Sequence, residues 1–435
     1  MQTVIHEMSS IVPLPKFDLF GVPPTQAMIE SDIVTEHRPI TSLDPSSFIQ
    51  FEIQSAIDEY IDLEKLYLML KVKVKNMDNL KIDQSTDGWD EISPVNNFLH
   101  SIIRQLDIFI GDTQISSTTP TYAYKAYFET FLGFNRDAKN SHLSSALWFN
   151  DENHKVNDPL MNQNTFIKAY RTVDLYGRLF TDLSFQGRAL LGGCKLIIRV
   201  LLNEPNFYFM AKKFKPELDF VEATLNVHRA KVPQMLVDAH NIALSHGNAK
   251  YPITMSNVKT FTIAKGSFDA NIDNVHSGQL PRRIFVAFVN NLAYCGSYEL
   301  NPFIFQHYNV SSLAVYLDGQ QFPAKAFTPD FQKNIYQREM HSLYEALDML
   351  DTDSNFAINR NNYNDGNTIY GFNFAPDLSS GCGAAGHVNP IRYGSLRLSI
   401  RFGEATPTPV TVLIYCEFDK ILEVDIARKA QIDLF

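Results

Sequence analysis

One short motif in the sequence has the spacing of a nucleotide-binding loop. Residues 381–386 read Gly-Cys-Gly-Ala-Ala-Gly and match the pattern G-x-G-x-x-G. A dinucleotide site needs this pattern between a buried strand and a helix, because backbone amides and the helix N-terminus must face the pyrophosphate. Here the motif follows the polar residues 376–380 and precedes Asn389-Pro390. This context favours a loop tip over a nucleotide site.

The histidines and acidic pairs lack the spacing of a metal or catalytic site. His240 and His246 are six residues apart (246 − 240), whereas two imidazoles share a helical face at positions i and i+4. Asp351 and Asp353 lie in a polar segment, where solvation accounts for both charges. The sequence contains no G-x-S-x-G or Cys/His signature. We therefore predict no catalytic, cofactor-binding or metal-ligating residues, and no enzyme activity.

The four cysteines are far apart and show no Cys-x-x-Cys spacing; they are Cys194, Cys295, Cys382 and Cys416. Cys194 and Cys416 lie in or beside apolar strands. This placement is typical of free, buried thiols in a reducing compartment.

Composition and charge exclude several classes of protein. The chain has 435 residues, of which 45% are hydrophobic and 20% are charged, as in a soluble globular protein of two or three domains. The net charge of −10 and the lack of a long basic run argue against a chain built mainly to neutralise phosphates. We expect no sequence-specific nucleic-acid binding. No apolar run approaches the ~18 residues of a membrane span, and the N-terminus lacks the order of a signal peptide.

Two similar segments place the remaining elements in two halves. Residues 313–322, LAVYLDGQQF, alternate apolar and other residues and then turn at Asp318-Gly319. Residues 106–115, LDIFIGDTQI, have the same order at an offset of 207 residues (313 − 106). Each segment therefore predicts a strand followed by a tight turn.

Further pairs of similar segments occur in the same order in the two halves of the chain. Leu196 and Leu398 lie in alternating strands 202 residues apart (398 − 196). Pro-Ile-Thr begins at Pro39 before a strand at 49–53 and again at Pro252 before a strand at 258–263. These repeated elements predict a duplicated domain.

The pattern predicts an all-β fold, because each half has short alternating strands, few helices and long loops. We expect an N-terminal arm at 1–45, a first β-domain at 46–215, a second at 216–419 and a C-terminal tail at 420–435. Each half also places a helix and its largest insertion after the strand–turn segment.

Several longer motifs occur along the chain: 94–101 (PVNNFLHS), 122–130 (YAYKAYFET), 273–274 (DN) with 278–281 (GQLP), 301–303 (NPF) with 307–309 (HYN), and 417–419 (EFD). Together, over about residues 38–428, they resemble one family, the major capsid protein of Polinton/Maverick elements and adintoviruses. Gly394-Ser395-Leu396 departs from the Gly-Asn-Leu expected of the family.

The resemblance implies a double jelly roll, related in fold to adenovirus hexon, with two tandem eight-stranded antiparallel rolls. It implies homotrimers that form pseudo-hexameric capsomers of an icosahedral shell around double-stranded DNA. The implied partners are other copies of the chain, penton proteins and minor or cement proteins, and the implied location is the virion.

Two other classes fit the sequence less well. A carbohydrate-binding β-sandwich would account for the aromatic content and long loops, and it predicts exposed aromatic side chains along one groove. A jelly-roll enzyme of the cupin type needs several His and Glu ligands on adjacent strands. His228 is the only histidine in a well-defined predicted strand, so the second class is disfavoured.

Overall fold

The computed structural model describes residue 8 and residues 15–17, 19–44, 47–76, 92–116, 119–149, 172–212, 215–353, 355–356, 358–379, 381 and 387–433. Within these ranges the helices are α1 Phe98–Ser101, α2 Tyr122–Gly133, α3 Arg136–Asn140, α4 Pro205–Tyr208, α5 Gln234–His246, α6 Asn291–Cys295, α7 Gln337–Ala346 and α8 Arg360–Asn364. The strands are β1 Ser31–His37, β2 Phe48–Gln54, β3 Glu59–Asn76, β4 Ile92–Pro94, β5 Ile103–Ile110, β6 Thr113–Gln114, β7 Thr172–Arg178, β8 Lys195–Leu202, β9 Phe209–Ala211, β10 Pro216–Lys231, β11 Ala249–Ile263, β12 Asp269–Gln279, β13 Arg283–Asn290, β14 Val310–Leu317, β15 Gln320–Phe327, β16 Ile369–Asn373, β17 Tyr393–Phe402, β18 Val410–Val424 and β19 Ala430–Asp433.

The two halves repeat one sheet topology. In the first half the sheets have the orders β1-β10-β3-β7 and β2-β8-β5-β6. In the second half the corresponding orders are β11-β18-β13-β16 and β12-β17-β14-β15. All of these pairs are antiparallel. The chain is therefore a double jelly roll, and the predicted fold class is confirmed.

Alternation along the strands builds the core of each roll. In β2, Ile49, Phe51 and Ile53 are buried while the residues between them are partly exposed. The pattern changes in β13, where Ile284–Val289 are buried on both faces, as expected of a strand covered on both sides. The spacing of the apolar residues along a strand therefore distinguishes a strand at the surface from one inside the molecule.

A shared irregularity shows that the repeat extends to hydrogen-bond register. The pairing of β5 with β8 shifts between Ile103 and Gln105. The pairing of β14 with β17 shifts between Val310 and Ser312, again at an offset of 207 (310 − 103). A β-bulge bends and twists its strand, so both rolls have the same local distortion.

Strands β8 and β17 are equivalent in the two rolls, but their equivalent residues are two positions away from those that the sequence match predicted. Leu196 lies opposite Ile110, and Leu396 lies opposite Leu317. The structural offset is therefore 200 (396 − 196) and not 202. A shift of two residues keeps the side chains on the same face, which explains why the sequence match still placed the strands correctly.

The Pro-Ile-Thr echo is not a structural repeat. Pro39 lies between β1 and β2, whereas Pro252 lies inside β11. By sheet order, β2 corresponds to β12 and β11 corresponds to β1. The match arose from similar local composition and not from equivalent strands.

Strand pairing also bears on the expected domain boundaries. β10 begins directly after residue 215, yet it pairs with β3 and β1 of the first roll. β1 itself lies within the expected arm, and the expected tail contains the end of β18 and its partner β19. We propose that the first roll spans residues 31–231 and that the second extends to residue 433.

Candidate functional site at the interface between the two rolls

Helix α2 of the first roll packs its aromatic side chains against the second roll. The rings of Tyr127 and Phe303 stack with centroids 4.3 Å apart, and those of Phe128 and Phe305 stack at 5.4 Å. All four side chains are buried. Such aromatic pairs contribute ~0.5–1.5 kcal/mol beyond the burial of their area, so they hold the two rolls in one arrangement.

A charged cluster lies beside these rings. The ammonium of Lys125 on α2 donates to Asp182 Oδ1 at 2.5 Å and lies 3.9 Å from Glu129 Oε1. From the second roll, the Ser256 hydroxyl donates to Glu129 Oε1 at 3.0 Å, and the Tyr415 hydroxyl donates to the same oxygen at 3.2 Å. The Ser256 amide also donates to Asp182 Oδ1. These bonds connect β11 and β18 to the first roll.

The cluster holds two carboxylates and one ammonium away from water. Burial raises the pKa of Glu129 to about 7, while the nearby Lys125 opposes the shift. Glu129 Oε2 and Asp182 Oδ2 have no hydrogen-bond partner among the described residues. Two buried carboxylates that share one lysine disfavour a second negative charge, and the Asp182 charge therefore adds to the effect of burial in raising the pKa of Glu129.

Lys139 is a buried lysine whose side chain lies at the C-terminal end of α2. Its ammonium donates to the Phe131 carbonyl at 2.5 Å and lies 4.8 Å from the centre of the Phe131 ring. The side chain lies 3.5 Å from the Phe356 carbonyl of the second roll. Burial lowers the pKa of Lys139 to about 7.

The C-terminal hairpin binds back onto the first roll. Arg428, in the turn between β18 and β19, donates from Nε to the Gly192 carbonyl at 2.9 Å. Its Nη2 lies 3.3 Å from Asn241 Oδ1 on α5. A side chain at Gly192 has no room, because its Cβ would lie 2.1 Å from the Ile57 carbonyl oxygen. The segment expected as a tail therefore joins the two rolls.

The motifs noted in the sequence do not form a common site in the described residues. Gly381 has a φ of +126°, and the space above it is filled by the Arg282 guanidinium; residues 382–386 lie outside the described residues. His240 Nδ1 lies 2.9 Å from the Tyr60 hydroxyl, whereas His246 contacts its own helix at the Ile242 carbonyl. Across the described ranges, no group of three or more His, Cys, Asp or Glu could hold a metal ion.

The described cysteines are free thiols. Cys194 and Cys416 are buried, as expected from their strands, and Cys295 is exposed. Burial raises the pKa of Cys194 to about 11 and that of Cys416 to about 12. A raised pKa keeps the thiol protonated and unreactive. Cys382 lies outside the described residues.

Sequence reasoning identified α2 but not its role in joining the rolls. Lys125 and Glu129 are spaced i, i+4 among aromatic residues, and this spacing places them on one face. Two opposite charges among the aromatic residues of one helix indicate a buried ion pair, so the sequence itself contained a sign of this contact. Their partners could not be found, because Ser256 and Tyr415 are far away in sequence.

Comparison with known proteins gives one full-length relative in sequence and several in structure. No protein-family profile matches the chain. An uncharacterised protein of Caenorhabditis elegans is 25% identical over 425 residues, which cover 95% of this chain and 99% of that protein.

The solved structures that the chain resembles come from viral capsids. Similarity to the Sputnik virophage structure has a TM-score of 0.65 with 12% identity and covers 99% of this chain and 94% of that one. For the capsid of the virus PBCV-1 the TM-score is 0.61 with 11% identity and coverage of 96% and 99%. For the Faustovirus major capsid protein it is 0.60 with 8% identity and coverage of 94% and 93%. At these identities the likeness establishes the fold.

The class defined by the fold is thus the double jelly roll found in these viral capsids. Both rolls take part in the match, because the aligned region covers nearly the whole chain in each case. No helix of the described residues is both long and apolar enough to cross a membrane.

Proposed function

We propose that this chain is a major capsid protein of the Polinton/Maverick and adintovirus kind. It forms homotrimers whose paired rolls give each capsomer a pseudo-hexagonal outline, and these capsomers tile an icosahedral shell around double-stranded DNA. Its partners are other copies of itself, together with penton and minor or cement proteins. Its place is the virion, and its role is structural and not catalytic.

The observation that carries this proposal is the repeated roll. Both halves have one sheet order and one β-bulge, and a buried interface fixes them side by side. Three copies of a chain with two similar rolls present six similar units around a three-fold axis. This arrangement fills a near-hexagonal lattice, as the full-length likeness to viral capsids would require.

The first test is the mass of the purified chain. We expect light scattering at micromolar concentration to give three times 49.5 kDa, because an obligate interface of more than ~2,000 Å² does not dissociate at that concentration. Thermal melting of the same sample checks that the chain is folded. A folded chain with the mass of one copy would contradict the proposal.

A carbohydrate-binding sandwich has no comparable support. That function needs exposed rings along a groove, whereas the stacked rings of Tyr127, Phe128, Phe303 and Phe305 are buried between the rolls.

A further inference from the structure

One end of the molecule has exposed apolar side chains from three separate segments. Ile57 lies between β2 and β3, Met235 and Ile242 lie on α5, and Ile426 lies between β18 and β19. Ile242 is 64% exposed and Met235 is 76% exposed. We call these four residues the end patch. Contiguous apolar surface of this kind marks sites of interaction.

Contacts around Arg428 show that the segments of the end patch meet. The Arg428 guanidinium lies 3.3 Å from Asn241, the neighbour of Ile242. A Cβ added to Gly193 would lie 3.5 Å from Arg428 Nε and 3.7 Å from Ile57. Ile57, the residue before Ile242 and the carbonyl of Ile426 therefore all lie close to Arg428. Met235 lies two turns before Ile242 on the same face of α5.

The residues before β1, called the arm below, leave the first roll beside the end patch; residues 8, 15–17 and 19–30 of the arm are described. The amide of Glu30 donates to the Lys231 carbonyl at 2.8 Å. The Lys231 ammonium lies 3.8 Å from the carboxylate of Asp58, which follows Ile57 in the chain. The same Asp58 accepts a backbone hydrogen bond from Val232, just before α5. The arm therefore leaves the first roll next to the end patch.

The described part of the arm is apolar and exposed in a single copy. Its exposed large side chains are Phe17, Leu19, Phe20, Val22, Met28 and Ile29. Phe20 is 96% exposed, so this side chain does not pack on the end patch of its own chain. Pro23 and Pro24 restrict the backbone to extended conformations. In a single copy the end patch and the described apolar side chains of the arm are therefore both open to water.

We propose that the arm of one copy binds the end patch of a second copy. From residue 30 to residue 17 an extended chain reaches ~40 Å, at about 3.3 Å per residue. That reach is enough to leave one copy and contact another. The inference rests on the proposed function only in assuming that copies of the chain lie side by side.

Charge near the end patch favours a protein partner over an anionic membrane. Glu30, Asp32, Asp58 and Asp238 surround the arm exit and α5. Two basic groups there, Lys231 and Arg428, already have partners. Anionic lipid requires free basic residues, whereas the apolar arm of another copy does not.

Cross-linking between differently tagged copies tests this contact. Both copies carry Cys295→Ser and Cys382→Ser; one also carries Phe20→Cys and the other Ile242→Cys, and the two are co-expressed and treated with a bismaleimide. We expect a mixed product at least about tenfold above the control, because docking raises the local concentration of the two thiols. In the control the second copy carries Phe268→Cys, an exposed position (61%) beyond the opposite end of β11.

A substitution in the end patch tests whether the contact is apolar. Adding Met235→Asp to the Ile242→Cys copy is expected to lower the yield about fivefold or more, because the contact would then bury a charge. Ile335→Asp, at a similarly exposed site outside the end patch, is expected to leave the yield unchanged.

The outcomes separate this inference from the proposed function. Trimers that give no mixed product above the control would overturn the arm contact alone. So would cross-links formed only within a copy that carries both cysteines. Arm-dependent flotation with phosphatidylcholine vesicles, without a mixed product, would assign the end patch to a membrane instead. Loss of the trimer mass itself would count against the capsid proposal.

Discussion

Asp182 and Glu129 are neighbouring buried carboxylates with different bonding. Asp182 Oδ1 accepts hydrogen bonds from the Lys125 ammonium and the Ser256 amide. Asp182→Asn leaves the buried ammonium without its closest counter-charge, so we expect a loss of ~3–5 kcal/mol in the free energy of unfolding. Glu129→Gln keeps an oxygen that can accept from Ser256 and Tyr415, so we expect no loss at pH 8. Urea unfolding of both variants measures the difference.

The comparison of Asp182→Asn with Glu129→Gln is controlled by measuring how the change in the free energy of unfolding caused by Glu129→Gln depends on pH. The pKa of Glu129 is raised from 4.5 to about 7 in the folded state. Its contribution is therefore fully present below pH 4.5 and is lost as pH rises through 7. Glu129→Gln should gain stability relative to the unmodified chain over this window. An equal loss for both variants at every pH would contradict this account of the cluster.

Lys139 predicts a second, opposite pH dependence. Its pKa is lowered from 10.5 to about 7 in the folded state, so the unfolded chain binds more protons between these values. Stability should rise with pH across that window and fall as pH drops through 7. Lys139→Met should flatten the rise, as measured by urea midpoints from pH 7 to 10. Lys333→Met, at an exposed lysine, should leave the slope unchanged; equal slopes in all three proteins would refute the prediction.

At the scale of elements, the hairpin after β14 depends on its turn residues. Asp318 and Gly319 both have positive φ, at 48° and 82°. In the first roll Gly111 takes the positive φ, at 60°. Both hairpins have two-residue turns, since Leu317 pairs with Gln320 and Ile110 with Thr113. Turns with positive φ match the twist of the strands they join.

Gly319→Ala tests the backbone requirement of this turn. A left-handed conformation costs a residue with a Cβ ~1–2 kcal/mol, so we expect that loss in the free energy of unfolding. Gly187→Ala is the control, because no atom lies within 4 Å of its added Cβ and its φ is not in the left-handed region. Thermal melting compares the two; equal melting temperatures would show that the turn tolerates a side chain.

The departure at Gly394-Ser395 is explained by the same turn. The Ser395 amide donates to Asp318 Oδ1 at 2.8 Å. A Cβ at Gly394 would lie 2.2 Å from the Asp318 carboxylate. Glycine is therefore needed for the close approach, while the backbone amide of residue 395 makes the contact whatever its side chain.

At the scale of the whole molecule, the fixed angle between the rolls determines the outline that the proposed trimer can have. The contact of α2, the charged cluster and the C-terminal hairpin each join the rolls at a different place. Three joints prevent rotation of one roll about another. We therefore expect negative-stain images of the trimer predicted above to show a single six-cornered outline. Images of one copy with variable spacing between its rolls would contradict a rigid pair.

The sequence by itself determined the local elements. Alternating apolar residues predicted β2 nearly to its ends and placed β8 and β17, because one face of each strand must be buried. It also predicted the strand–turn pair of each half. It was less accurate where the period failed: the strand expected at 258–263 is only the last part of β11, which begins at Ala249.

Only the tertiary structure decided which strands belong together. β10 follows the first roll's last predicted boundary, but its partners β3 and β1 lie far back in the chain. Likewise, Lys125 lies beside Asp182 only in the folded first roll, and Tyr127 stacks on Phe303 only where the two rolls pack together. Apolar period is a local property, whereas pairing depends on competition among many distant strands for the same edges. The joint between the rolls was therefore fixed by packing that no single segment specifies.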